Sequence, residues 1–173
     1  MKHFLEHSFP PGYSYGEELK AVTGALACSV LSSLVSFLVG FSSARQSLYI
    51  RLGNQLLLDE TRVMSDFVNI LGNYLIVYFI FAALILAGGT IVHYAYYHRE
   101  SKSIYLMRRL PNRLEVHRRS LLIPLLCAFI HVLSAFVMLL ILYAIYMIFT
   151  PKACLAPDQW NRLWNALILF ALL

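Results

Sequence analysis

Residues 98–120 read HRESKSIYLMRRLPNRLEVHRRS and separate two long apolar runs, residues 70–97 and 121–149. Half of the chain's 14 Lys and Arg fall in this stretch, as Arg99, Lys102, Arg108, Arg109, Arg113, Arg118 and Arg119, against Glu100 and Glu115. A short loop this basic between membrane spans is retained on the cytoplasmic side. The expected orientation follows: a cytoplasmic N-terminus, residues 42–69 outside, and the chain returning outside after residue 149.

Within the loop, Ser101 or Ser103 can cap a short helix whose Ile104, Met107 and Leu110 share one face, with Arg108 and Arg109 beside it. Pro111 stops that helix. Asn112 then stands three residues before Glu115, the spacing of a capping box, so a second helix is expected to start near Arg113 and run into the next span. An anchor among anionic headgroups needs only the charge. A helix, a turn and an apolar stripe suit a soluble partner.

The composition is 60% hydrophobic and 13% charged in 173 residues, well below the roughly one quarter charged residues of a soluble domain. The chain is therefore expected to be an all-α integral membrane protein forming a single membrane domain over residues 1–173. The net charge of +5 comes from the one loop, so it reports orientation and argues against nucleic acid as a partner. Cys28 and Cys127 lie in apolar runs and Cys154 lies beyond the third, without metal-ligand spacing.

Residues 1–20 hold Pro10, Pro11 and Gly12, then Glu17, Glu18 and Lys20, unlike a signal peptide, and their composition suits an interfacial segment or, equally, a flexible tail. The first span is expected at 21–41. Ala25, Ser29, Ser32, Ser36 and Gly40 follow at steps of three or four and form a stripe of small residues, over which helix backbones approach closely in lipid. Phe37 lies off that stripe and is expected to matter less to packing. Residues 42–69 balance Arg45, Arg51 and Arg62 against Asp59, Glu60 and Asp66, and their partial helical periodicity predicts extensions of the flanking spans.

The second span, 70–97, carries Tyr74 and Tyr78 toward one end and Tyr94, Tyr96 and Tyr97 toward the other, with Gly88 and Gly89 as a close-packing point or a hinge. In the third span, 121–149, Pro124 frees a backbone carbonyl that a neighbour must re-satisfy. After Thr150, Pro151 and Lys152 comes an apolar tail, 160–173. Its 14 residues fall short of the roughly 20 needed to span, so a short interfacial, re-entrant or partial fourth helix is expected.

Intramembrane ionisable groups are the usual pointers to function, and His131 is the deep candidate. The structural alternative is a histidine hydrogen-bonded to a Ser or a carbonyl on a neighbouring helix. Two histidines can ligate a haem, but His93 lies near the basic loop and His131 about 10 Å deeper at 1.5 Å per residue, a poor match for two axial ligands. No phosphate loop, paired carboxylates or nucleophile–base set appears, so neither catalysis nor a cofactor is expected of this chain.

At the loop the chain resembles the permease subunits of type-2 ATP-binding-cassette exporters, in which an interfacial N-terminal segment and two spans precede a short coupling helix. The likeness is one of pattern, centred on residues 103–119, SIYLMRRLPNRLEVHRR. It implies that Ile104, Met107, Arg108, Arg109 and Leu110 meet a cytoplasmic ATPase subunit, with Pro111 setting the turn. It further implies a small subunit of a multi-subunit exporter in a prokaryotic cytoplasmic membrane. Such permeases have about six spans per half where this chain has three, so other membrane subunits or a second copy would complete the pathway. The alternatives are a non-transporting scaffold or assembly subunit and, third, a haem- or quinone-binding respiratory subunit.

Overall fold

A computed structural model describes residues 15–52, 55–59, 61–98 and 114–172. Helix α1 runs Tyr15–Gln46; strands β1 (Tyr49–Leu52) and β2 (Gln55–Leu58) form an antiparallel hairpin; α2 (Phe67–Leu71) is short; α3 covers Ile76–His98 and α4 Leu114–Phe149. A 3-10 turn, Lys152–Cys154, leads to α5 (Gln159–Leu172). Three segments, Gly16–Gln46, Ile76–Tyr96 and Ser120–Phe149, are long and apolar enough to cross a membrane. The protein is an all-α membrane protein with three such helices among the described residues. Helix α5, at 14 residues and about 21 Å, is shorter than the roughly 30 Å hydrocarbon core.

Hydroxyls survive in α1 because they bond to their own helix. Ser29 donates to the Ala25 carbonyl at 2.9 Å, Ser33 to Val30 at 3.1 Å and Ser42 to Val39 at 2.9 Å. With no water in the hydrocarbon, such internal partners are what make these residues tolerable.

The chain divides into two compact units, one drawn from Met1–Ser29 and Ile76–Ala135, the other from Val30–Leu75 and Phe136–Leu173. The second is built on aromatic rings. Phe67 of α2 meets Phe37 at 5.9 Å between ring centroids, Tyr143 at 5.3 Å and Tyr146 at 5.5 Å. The Tyr146 hydroxyl donates to the Ser65 carbonyl at 3.0 Å, and the Met64 N–H to the Cys154 carbonyl at 2.8 Å. Gln159, at the start of α5, accepts from the Phe67 N–H at 3.0 Å and donates to Asp66 at 3.0 Å, while Arg162 reaches the other Asp66 oxygen at 2.6 Å. These bonds dock the tail helix onto α2.

Three expectations change. Residues 42–69 are not simple extensions of the spans: α1 stops at Gln46 and a hairpin follows, with Leu52 opposite Gln55. That register leaves Gly53 and Asn54 between the strands, a Gly-Asn pair that is itself a hairpin signal and outweighs the helical periodicity of the leucines. The second long helix begins at Ile76 rather than residue 70, because Gly72 ends α2 at φ 48°, ψ −134°, a conformation open to glycine. Phe37 is fully buried; the line Ser29, Ser33, Phe37 at steps of four is the buried face, while Ala25, Ser32, Ser36 and Gly40 are half-buried beside it.

Phe37→Ala is therefore expected to lower stability by about 3–5 kcal/mol. Val39→Ala, at a position 64% exposed, should stay within about 0.5 kcal/mol. Denaturation of the purified variants in detergent checks the contrast. A pH dependence follows from Asp66, whose carboxyl is held below its ordinary value of 3.8 by the Gln159 hydrogen bond and by Arg162, against some desolvation. A depressed folded value means stabilisation that is present above 3.8 and lost as pH falls through the folded value. Both tryptophans, Trp160 and Trp164, lie on α5, so their fluorescence should report loosening of the tail below that pH in the parent and no such acid step in Asp66→Asn.

Candidate functional site

Pro124 sits inside α4 and carries no N–H, so the carbonyl four residues earlier, that of Ser120, loses its helical partner. His93 of α3 supplies the replacement: its Nδ1 lies 3.1 Å from the Ser120 oxygen. The other ring nitrogen, Nε2, lies 2.9 Å from Oε2 of Glu18 in α1. One imidazole thus joins three helices, each contact lying within the same compact unit. His93 is 0% exposed and the Glu18 side chain 15% exposed.

Local chemistry favours each placement. Glu17 and Glu18 occupy the first turn of α1, where the helix dipole stabilises a carboxylate, and His93 lies toward the C-terminal end of α3, where it stabilises positive charge. Glu17 faces water and pairs with Lys20 at 3.0 Å. Gly89, one turn before His93, makes the approach possible: a Cβ there would stand 3.0 Å from Pro124 Cγ and 3.5 Å from Glu18 Oε1. Gly89 is thus a close-packing point, whereas a Cβ at Gly88 would meet nothing within 4 Å. A second tie joins the Tyr94 hydroxyl of α3 to Nδ1 of His117 in α4.

The Ser120 carbonyl can only accept, so Nδ1 of His93 carries a proton. Nε2 then either donates to the Glu18 carboxylate or accepts from a Glu18 carboxylic acid. In both forms a single proton lies between a buried imidazole and a partly exposed carboxyl.

His131, the candidate from the sequence, is fully buried, and its Nδ1 lies 3.2 Å from the Cys127 carbonyl of its own helix, not a neighbouring one. Its Nε2 has no partner among the described residues, a state that costs about 1–3 kcal/mol. Both nitrogens of His93 are hydrogen-bonded, to Ser120 and to Glu18. The docking residues Ile104, Met107, Arg108, Arg109, Leu110 and Pro111 lie outside the described residues. Glu18 is the member of this candidate site that sequence reasoning did not single out. The signal was present: Pro124 requires a donor for Ser120, His93 is one of two histidines in the apolar runs, and a histidine donating through Nδ1 leaves Nε2 to be matched.

No protein family, curated protein or solved structure matches the chain.

If Gly89 is the point of closest approach, Gly89→Ala should cost about 1–3 kcal/mol, because the rigid proline ring cannot swing aside. Gly88→Ala should be neutral or slightly stabilising, since alanine is the better helix former. Thermal unfolding of the two variants in detergent makes the comparison.

Proposed function

We propose that the chain is a small transmembrane subunit of a multi-subunit ATP-driven transporter, working as an exporter, with its N-terminus and its 98–120 loop in the cytoplasm. ATP is hydrolysed by a separate cytoplasmic ATPase subunit that docks on Ile104, Met107 and Leu110, flanked by Arg108 and Arg109 and turned by Pro111. Other membrane subunits or a second copy complete the pathway. The observation that carries this reading is the junction of His93 with Ser120 and Glu18. The basic loop joins α3 to α4, and close to its two ends these helices are tied to each other by His93 and Ser120 and by Tyr94 and His117. Glu18 adds α1 to the same knot. A partner docked on the loop would thus act on helices that are already joined to one another. The lysine and arginine asymmetry supports the orientation.

In the test, Met107→Ser with Leu110→Ser removes about 1.5–3 kcal/mol per fully buried side chain, lowering co-purification of the ATPase by about tenfold or more per site. Arg113→Gln with Arg118→Gln should disturb orientation more than binding. Equal recovery of ATPase from the serine variant, or a cysteine at Asn112 that reacts with an impermeant reagent in intact cells, overturns the proposal. Recovery of membrane proteins without any ATPase turns the assignment to a scaffold or assembly subunit.

A further inference from the structure

We propose that Glu18 and His93 form a proton-binding site whose occupancy decides whether α1 stays joined to α3 and α4. The inference goes beyond the transport reading and stands whether or not an ATPase docks on the loop. A static clamp needs only a donor for the Ser120 carbonyl, which an uncharged amide would supply. Here the donor is an imidazole, and its second nitrogen meets a carboxylate 2.9 Å away in a site with His93 fully buried.

The proton count follows from the bonds. Nδ1 keeps its proton because the Ser120 oxygen only accepts. The Nε2–Oε2 contact holds one further proton, on either atom. When that proton leaves to water, the Nε2 lone pair of the fully buried imidazole faces a carboxylate oxygen at hydrogen-bond distance, two acceptors with no proton between them. The contact cannot persist, and Glu18, partly exposed and one turn into α1, is the member able to withdraw. A second proton has a different effect: imidazolium and neutral acid keep their contact through the acid's carbonyl oxygen. Loss of the shared proton, rather than gain of another, opens the junction.

The surrounding titratable and charged groups among the described residues come from all three helices. On α1, Glu17 and Lys20 are exposed and neutralise each other at 3.0 Å. Tyr94 of α3 is bonded to His117 of α4. On α4, Arg118 is exposed, and Cys127 lies within electrostatic reach of Glu18. Among these, the imidazole and carboxylate stand in direct contact with each other, so the shared proton belongs to that pair.

The test uses the full chain in lipid nanodiscs with 15N-labelled histidine, between about pH 5 and pH 10, a range spanning imidazole titration. In the parent, the His93 Nε2 resonance should pass from protonated to unprotonated. Over the same step, hydrogen-exchange protection of residues 16–24 should fall by about tenfold or more beyond the intrinsic rise in exchange, the size expected for losing a hydrogen bond to a charged group. Glu18→Gln donates its amide to unprotonated Nε2 and keeps the contact without a shared proton, so protection should lose its pH step. His93→Gln, whose amide offers two N–H donors to Ser120 and Glu18, should lose it too. A His93 that keeps one protonation state while the parent stays folded overturns the proposal. So does a pH step that survives in either variant. Should both variants fail to fold, the parent resonance and its exchange profile decide alone. No ATPase is in the sample, so this result is separate from that of the coupling test.

Discussion

The missing N–H of Pro124 is the constraint from which the rest of one compact unit follows. In water the carbonyl it frees would be solvated; in hydrocarbon it must find a protein donor or cost several kcal/mol. His93 meets that need at 3.1 Å, and in doing so it becomes an imidazole whose other nitrogen must also be matched, which draws in Glu18. The proline ring is bulky, and a Cβ opposite it would stand 3.0 Å from its Cγ, so the glycine at position 89 lets α3 come this close without a shift. A proline, a glycine, a histidine and a glutamate, each awkward within an apolar helix, are mutually compensating.

The other unit is held by different means. Its centre is a set of rings, Phe37, Phe41, Phe67, Tyr143 and Tyr146, with Phe37 and Phe41 stacked and the other pairs edge to face or tilted, which need no charge and bring large buried surface. Its polar bonds lie where the chain leaves the apolar helices: Asp66 takes Gln159 and Arg162, and Asp59 takes Thr61 and Arg62. Both carboxyls are held below their ordinary value, Asp59 chiefly by Thr61 and Asp66 chiefly by Gln159. Such bonds orient short elements, α2 and the start of α5, that are too short to be stable alone.

Polar groups inside the apolar helices divide into those satisfied locally and those that reach across. Ser29, Ser33 and Ser42 each donate to a carbonyl of α1 itself. His93 reaches two other helices and so specifies which helices meet. His131 stands between these cases, with one nitrogen on its own helix and the other unmatched among the described residues.

The sequence by itself determined the class of the protein. Three long apolar runs and a carbonyl orphaned by Pro124 are local facts, set by residues within one or two helical turns of each other. Only the tertiary structure decided which donor met Ser120, that Glu18 closed the set, that Gly89 and not Gly88 was the contact glycine, and that Phe37 faced inward. Those are choices among partners distant in sequence. In an apolar helix every face is greasy, so hydrophobic periodicity, the usual guide to the inner face, carries little information, and the inner face is marked instead by where the few polar and small residues find each other.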